Sequence, residues 1–393
     1  MNDAQAMFSL DFDDIHQQAS EQCNGLTNFG DESYLEPMRV LLDSLVNEAR
    51  LNEQGRAMWH SRIVAILCNR LRMWQWLNQH PEIQEEQVKS PVVIVGLPRT
   101  GTTMLHRILA SDSRFYAPLW YEVRNPAPYM DWQPKETDQR IVESTAEVEA
   151  MLSANPELAA IHPMDPVGAD EEILILENSF YSTVPEAYCH LPSYSKWLDS
   201  NDNAPGYKFL KLALQFLQWQ KKQRGEDAER WLLKTPHHLH HMNVLLSEFP
   251  DSTIVQTHRD PIDTIPSIAS FNANLYVLCS DSVNKSELAE HWSAKFCRGM
   301  THTMAIREQH KAQFFDAWFR DTVSKPFEVI ESLYNTLAMP LTADAKAAME
   351  KYRELNKREE RPAHEYTLEE YGLSEAGLKK QFADYRSRYI ENH

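Results

Sequence analysis

Apolar positions recur at helical spacing over the first part of the chain. After an acidic, weakly patterned stretch to about Asp31, the segment from Tyr34 to His80 places Met38, Leu41, Leu42 and Leu45, then Ile63, Ile66, Leu67 and Leu71, on helical faces. The pattern predicts a helical N-terminal extension over 1–89. At Pro91 the period changes: Val92-Val93-Ile94-Val95 is a short β-branched run bounded by proline and glycine, which predicts a strand buried on both faces of a parallel sheet. A turn containing Gly96 and Gly101 follows, and Thr103 to Ala110 returns to helical spacing. Residues 131–225 read as helical and aromatic, with Phe180, Tyr181, Tyr188, Tyr194, Trp197, Phe209, Phe216 and Trp219. Two more strands are predicted at Trp231-Leu232-Leu233-Lys234 and Thr253-Ile254-Val255-Gln256-Thr257, each leading into a helix, from His237 and from Ile262. Another strand is expected at 314–319, and the chain after Lys325 reads as mostly helical, with a charged stretch from Lys351 to Arg361. This order predicts an α/β fold of three layers around a central parallel sheet over 90–393, with 131–225 as a helical insertion.

Composition narrows the functional classes. The 393 residues are 42% hydrophobic with 10 Trp, 15 Tyr and 15 Phe, enough for a sizeable core and for aromatic surface lining a pocket. A net charge of −18 argues against nucleic-acid or anionic-membrane partners, so an anion site has to be local. No window reaches the roughly 18 to 20 apolar residues of a membrane span, and Met1-Asn2-Asp3-Ala4-Gln5 lacks the basic start of a signal peptide, so a cytoplasmic location is expected. The five cysteines (Cys23, Cys68, Cys189, Cys279, Cys297) are scattered without a CxxC pair, which fits reduced thiols rather than a disulfide framework or zinc cluster. Oligomeric state is open, a homo-oligomer included.

The turn after the first strand carries the candidate chemistry. Gly96-Leu97-Pro98-Arg99-Thr100-Gly101-Thr102-Thr103 runs from a strand into a helix, where free backbone N–H groups and the helix dipole make an anion cradle. The glycine spacing is that of GxxxxGK[ST], but Thr102 stands where that pattern has lysine, and the nearest cation is Arg99. A nucleoside triphosphate kinase needs that lysine; transfer of a less charged sulfuryl group, without a metal, does not. Taken alone the loop also reads as an ordinary strand-to-helix turn. A second anion site is suggested by Arg259 at the end of the strand Thr253 to Thr257 and by Ser267 in the next helix, a cation and a hydroxyl able to close on one phosphate.

With both elements, the chain resembles the sulfotransferases that use 3′-phosphoadenosine 5′-phosphosulfate (PAPS). Gly96 to Thr103 is similar to their 5′-phosphosulfate loop, and Arg259 with Ser267 to their 3′-phosphate motif. The likeness extends to bacterial members with a helical N-terminal extension, through Asn28-Phe29-Gly30-Asp31, Asn52-Glu53, Leu232-Leu233-Lys234-Thr235-Pro236 and the segment from Tyr366 to Leu373. The resemblance implies a P-loop-like α/β fold with PAPS as donor cosubstrate and no metal; the acceptor is a small hydroxyl compound, and the aromatic richness of 131–225, read as a substrate-side insertion, favours a lipophilic or aromatic one. It also implies that Pro98, Arg99, Thr100, Gly101, Thr102 and Thr103 hold the 5′ end of the donor. Arg259 and Ser267 then hold its 3′-phosphate, with Lys357, Arg358 and Arg361 folding over it.

Charge stabilisation in such a transfer falls to Arg99, Lys234 and the loop amides. Lys234 ends a strand at the sheet edge where α/β folds bind ligands, and corresponds to the lysine of the family's K-T-x-H or K-S-P-x-H segment; its alternative is a solvated strand-end lysine. For the base the first choice is Glu122, after the loop helix, where several relatives have a Trp-Glu pair, narrowly ahead of His238, with His237 a third candidate. Glu122 has the structural alternative of pairing with Arg124 or capping a helix. His237 and His241 also have the i, i+4 spacing of zinc ligands, but no HExxH or cysteine accompanies them and no metal is expected. Asp170-Glu171-Glu172 is a further acid source, or a solvated helix start. The competing functions are a nucleotide kinase or NTPase with an atypical loop and a nucleotide-binding module without turnover.

Overall fold

The computed structural model describes residues 8–154, 164–356, 367–391 and 393. Five strands, β1 (Val92–Gly96), β2 (Phe115–Tyr116), β3 (Arg230–Lys234), β4 (Thr253–His258) and β5 (Phe314–Trp318), form one sheet in the order β2-β3-β1-β4-β5. Every pairing is parallel, with Val92 opposite Leu232 on one side and Gly96 opposite Thr257 on the other. Four strands lie where the apolar runs predict them. The two-residue β2 has no run long enough to announce itself.

Alternation along these strands assigns the two faces. Val93, Val95, Leu233 and Ile254 enter one hydrophobic core, while Val92, Ile94, Leu232 and Val255 enter another on the opposite face. All are fully buried, each contributing roughly 1.5–3 kcal/mol through removal from water. Both faces are therefore covered, as a parallel sheet requires.

The N-terminal helices α1 (Phe12–Gln22), α2 (Leu35–Asn47) and α3 (Glu53–Gln79) are begun by side-chain caps where the sequence offers them. Asp11 accepts from the backbone N–H of Asp13 at 2.9 Å, and Asn52 from that of Gly55 at 2.8 Å. The long α3, about 40 Å at 1.5 Å per residue, links two cores: Trp59, Ile63 and Leu67 bury with α1 and α2, whereas Met73, Trp76 and Leu77 bury with Val93 and Val95 of the sheet.

Between the strands run α4 (Thr102–Leu109), α5 (Trp120–Arg124), α6 (Gln139–Ala154), α7 (Ile173–Glu177), α8 (Val184–Tyr188), α9 (Pro192–Ser200), α10 (Ala204–Gln223), α11 (Met242–Glu248), α12 (Pro261–Tyr276) and α13 (Lys285–Arg307). After β5 come α14 (Phe319–Ser324), α15 (Pro326–Thr336), α16 (Ala343–Leu355), α17 (Glu375–Gln381) and α18 (Ala383–Tyr389). The aromatic residues of 131–225 divide between cores instead of forming exposed pocket lining. Phe180, Tyr181 and Tyr194 bury against the N-terminal helices, with Tyr188 and Trp197 beside them, and Phe209, Phe216 and Trp219 bury against the sheet side. Arg62 of α3, paired with buried Glu177 of α7, ties the N-terminal helices to this segment. Among the described residues no helix is long and apolar enough to cross a membrane.

Candidate active site

The carboxyl ends of β1, β3 and β4 converge where the strand order changes direction, the crevice in which open α/β sheets bind ligands. From β1 the chain leaves through Gly96, whose φ is 156° and whose added Cβ would lie 2.1 Å from the Thr257 hydroxyl. Any side chain there would push β4 away. Thr100 donates its hydroxyl proton to the Leu97 carbonyl at 2.7 Å, and its oxygen lies 2.6 Å from Thr257 Oγ1. That hydroxyl braces the loop from within and leaves the Thr100 backbone N–H as the group it could offer an anion. Gly101, at φ 82°, is the N-cap of α4. The first-turn N–H groups, together with half-buried Thr103 and nearly buried Thr102, face the same end of the sheet, while Arg99 is exposed.

Lys234, at the end of β3, is buried and far from the solvated alternative. Its Nζ lies 3.4 Å from Thr103 Oγ1 and pairs with a Glu171 carboxylate oxygen. Glu172, fully buried, accepts the Lys234 backbone N–H at 2.8 Å and contacts His238 Nε2 at 2.7 Å; His238 Nδ1 is 2.7 Å from the Tyr207 hydroxyl. The Asp170-Glu171-Glu172 run is thus not a solvated helix start. Asp170 and Glu172 are buried, and Arg107 pairs with Asp170 at 3.5 Å. The signal in the sequence was three carboxylates leading into Ile173-Leu174-Ile175-Leu176, an apolar run that draws its first turn into the interior. Tyr207 carried no such signal.

The helix expected from His237 is a 3₁₀ turn, Pro236–His240, capped by Thr235, and α11 begins at Met242. His237 and His241 therefore do not stand at i, i+4 on an α-helix, although their ring centroids are 4.9 Å apart. Burial first, then neighbouring imidazoles and the Lys295 charge, drive His237 well below its ordinary value; burial and Lys295 bring His241 down to about 3. Both rings are neutral near pH 7. No group of three metal-ligating side chains occurs among the described residues.

Glu122 is placed differently from the expectation. It sits in the first turn of α5 with no exposed surface, and its oxygens take the Leu119 N–H at 3.0 Å, the Tyr121 hydroxyl at 3.2 Å and the Lys221 ammonium at 2.9 Å. Arg224 stands 3.4 Å away and continues the network to Asp138, which Arg140 also holds. Burial alone would raise the Glu122 carboxyl; Lys221, then Arg224 and the Leu119 N–H, outweigh it and hold the group below the usual carboxylate range. Arg124 pairs not with Glu122 but with Glu147, at 2.6 Å. A carboxylate so enclosed and saturated has neither a free lone pair nor a path to a substrate proton, and the structure does not bring it together with Lys234.

At the end of β4, Arg259 donates to the Arg99 carbonyl at 3.0 Å and its guanidinium lies 4.2 Å from the Phe319 ring centre. Phe319 is also what a side chain at Gly101 would meet, so the two predicted anion elements share one aromatic platform. Asp260 caps α12 and is gripped by Arg386 of α18 at 3.0–3.2 Å. Ser267 is buried in the second turn of α12, and no hydrogen bond joins it to Arg259 among the described residues. His258, unnoticed in the sequence beside Arg259, lies 2.8 Å from Asp316 and 3.1 Å from the Tyr385 hydroxyl, closing α18 over the strand ends. Lys357, Arg358 and Arg361 fall outside the described residues.

Comparison with known proteins places this site in context. Residues 91–344 match the model of the sulfotransferase family. The omega-hydroxy-beta-dihydromenaquinone-9 sulfotransferases Stf3 of Mycobacterium bovis and Mycobacterium tuberculosis are 25% identical over 233 residues, 56% of this chain and 55% of theirs. The match thus spans about half the length of these curated relatives. Among solved structures, sulfotransferase STF1 from Mycobacterium tuberculosis superposes with a TM-score of 0.83 at 27% identity, covering 95% of this chain and 98% of that one. Sulfotransferase STF9 from Mycobacterium avium gives 0.86 at 24% identity, covering 96% of each, a likeness of fold.

Proposed function

This chain belongs to the sulfotransferase family, and we propose that it transfers a sulfuryl group from PAPS to the hydroxyl of a small lipophilic acceptor, with Glu171 as the base. One observation carries the reading: the Lys234 ammonium stands between Thr103 of the loop helix and the Glu171 carboxylate, so that anion cradle, cation and base meet at one point. The donor set fits a phosphosulfate anion, since backbone N–H groups and hydroxyls of the loop face the same place as the cation. PAPS would supply the sulfuryl group there. Thr102, Thr103 and the loop amides would hold its 5′ side, with Arg99 beside them, and Arg259 and Ser267 its 3′-phosphate.

Lys234 serves the developing charge on the bridging oxygen as the bond from sulfur to the 5′-phosphate breaks. Glu171, partly exposed, accepts the acceptor's hydroxyl proton as the new oxygen–sulfur bond forms; 3′-phosphoadenosine 5′-phosphate leaves. Glu122, engaged by the Leu119 N–H, the Tyr121 hydroxyl and Lys221, has no lone pair left for that proton. The lipophilic acceptor rests on the substrate named for the Stf3 relatives, a hydroxylated dihydromenaquinone.

Thermal shift separates this reading from an NTPase. Stabilisation of several degrees by 3′-phosphoadenosine 5′-phosphate at a hundredfold excess over its Kd, but not by Mg-ATP, is expected; the reverse pattern refutes it. Turnover is read separately, as label moving from PAPS to farnesol or 1-naphthol.

A further inference from the structure

We propose that Tyr207, His238 and Glu172 form a buried relay that positions Lys234 and Glu171, making His238 a positioning residue and not the base. The inference rests on the transfer reaction proposed above and adds to it the groups that hold its machinery in place.

Every polar atom of the relay is committed. Glu172 uses one carboxylate oxygen for the Lys234 backbone N–H at 2.8 Å and the other for His238 Nε2 at 2.7 Å. The remaining imidazole nitrogen, Nδ1, meets the Tyr207 hydroxyl at 2.7 Å. An ionised carboxylate only accepts, so Nε2 carries the proton, and the phenol closes the chain by donating to Nδ1. Burial, then the charge of Glu172, holds the Tyr207 phenol protonated well above its ordinary range, which keeps it a donor. All three side chains are fully buried. An imidazole with both nitrogens engaged and no exposed edge has no free lone pair for an acceptor's proton.

What the relay touches explains its task. Glu172 is the chain neighbour of Glu171, and it is bonded to the backbone of Lys234, the residue whose ammonium Glu171 pairs with. The Glu172 carboxylate thus ties the main chain of Lys234 to the residue next to Glu171. Its own position is set by His238 from the turn after β3 and, through the imidazole, by Tyr207 from α10. Three segments of the chain meet there, so a small displacement of the relay moves the cation and the base relative to each other, and misplacement of about 1 Å costs on the order of a hundredfold in rate.

The test compares Tyr207→Phe, His238→Ala and His238→Gln in the full chain, with kcat and KM for PAPS measured on the fraction that binds 3′-phosphoadenosine 5′-phosphate. Gln offers Glu172 an N–H where His238 Nε2 stood. Expected are a loss in kcat of about tenfold for Tyr207→Phe and about a hundredfold for His238→Ala, KM for PAPS within about twofold of wild type, and recovery of most of the loss by His238→Gln. A merely structural role would lower the folded fraction and leave its kcat unchanged. If His238 were the base, the Gln variant would be as slow as the Ala variant; either result overturns the relay. Should His238→Ala fail to fold, Tyr207→Phe removes one hydroxyl isosterically and decides alone. A wild-type protein without transfer overturns the reaction itself, whereas an active wild type with unaffected variants overturns only the relay.

Discussion

Among the described residues, Glu122 with Lys221 and Glu171 with Lys234 each join a glutamate to a buried lysine, and residue type does not distinguish the two pairs. Surroundings do. Around Glu122 the Leu119 N–H, the Tyr121 hydroxyl and Arg224 complete the shell, and nothing is exposed. Around Glu171 the shell is open: the carboxylate keeps 20% of its side-chain surface, and its lysine also reaches Thr103 in the first turn of α4. A saturated pair holds structure together, because removing one member strands a charge in the interior. An unsaturated pair at a sheet's carboxyl edge can exchange its partner for a substrate.

The contrast is broken most directly by Glu171→Gln. This change should lower kcat about 10²–10⁴-fold in the fraction that stays folded, since it also leaves the buried Lys234 without its carboxylate; unchanged transfer of label from PAPS would remove Glu171 from the chemistry. Next in size, Glu122→Ala should destabilise the fold by about 3–5 kcal/mol, read in denaturant titration. Activity per folded molecule should remain within about twofold of wild type; loss of kcat without loss of stability would invert the assignment.

Acid provides a gentler probe. Burial raises the Glu186 carboxyl, but Lys295 and then His291 outweigh it and bring it down to about 2; Glu122 is depressed in the same sense. For a carboxyl whose folded pKa lies below its unfolded one, the stabilisation is fully present above about 4.5 and is lost as pH falls toward the folded value. Unfolding free energy should therefore decline between pH 4.5 and about 2, and Glu186→Gln should flatten part of that slope in urea titrations. An unaltered slope would mean that Lys295 does not hold the carboxylate ionised.

Most of the sheet was legible in the sequence: β1, β3 and β4 are short apolar runs buried on both faces and the half-buried β5 was expected at its place, whereas the two-residue β2 was not. The loop was legible too, since Gly96 and Gly101 occur where only 11 glycines serve the whole chain. The carboxylates were not. Glu122 acquires its meaning from Lys221, 99 residues away, and Glu172 from His238, 66 residues away; local pattern cannot rank two acidic residues whose partners arrive through tertiary packing. The aromatic segment misled for a related reason, because a ring-rich helix is as well suited to a core as to a pocket. The turn at His237 departed from helix because Thr235 caps a 3₁₀ turn begun by Pro236.

The shape of the loop between β1 and α4 is recorded partly outside the loop. Thr257, on a strand that begins 150 residues further along the chain, supplies the hydroxyl against which Thr100 rests and the wall that excludes a side chain at Gly96. Residues 96–103 are therefore not a portable module. Transplanted into another sheet, they would carry the order of amides and hydroxyls but not their arrangement, unless a threonine in register on the adjoining strand travelled with them.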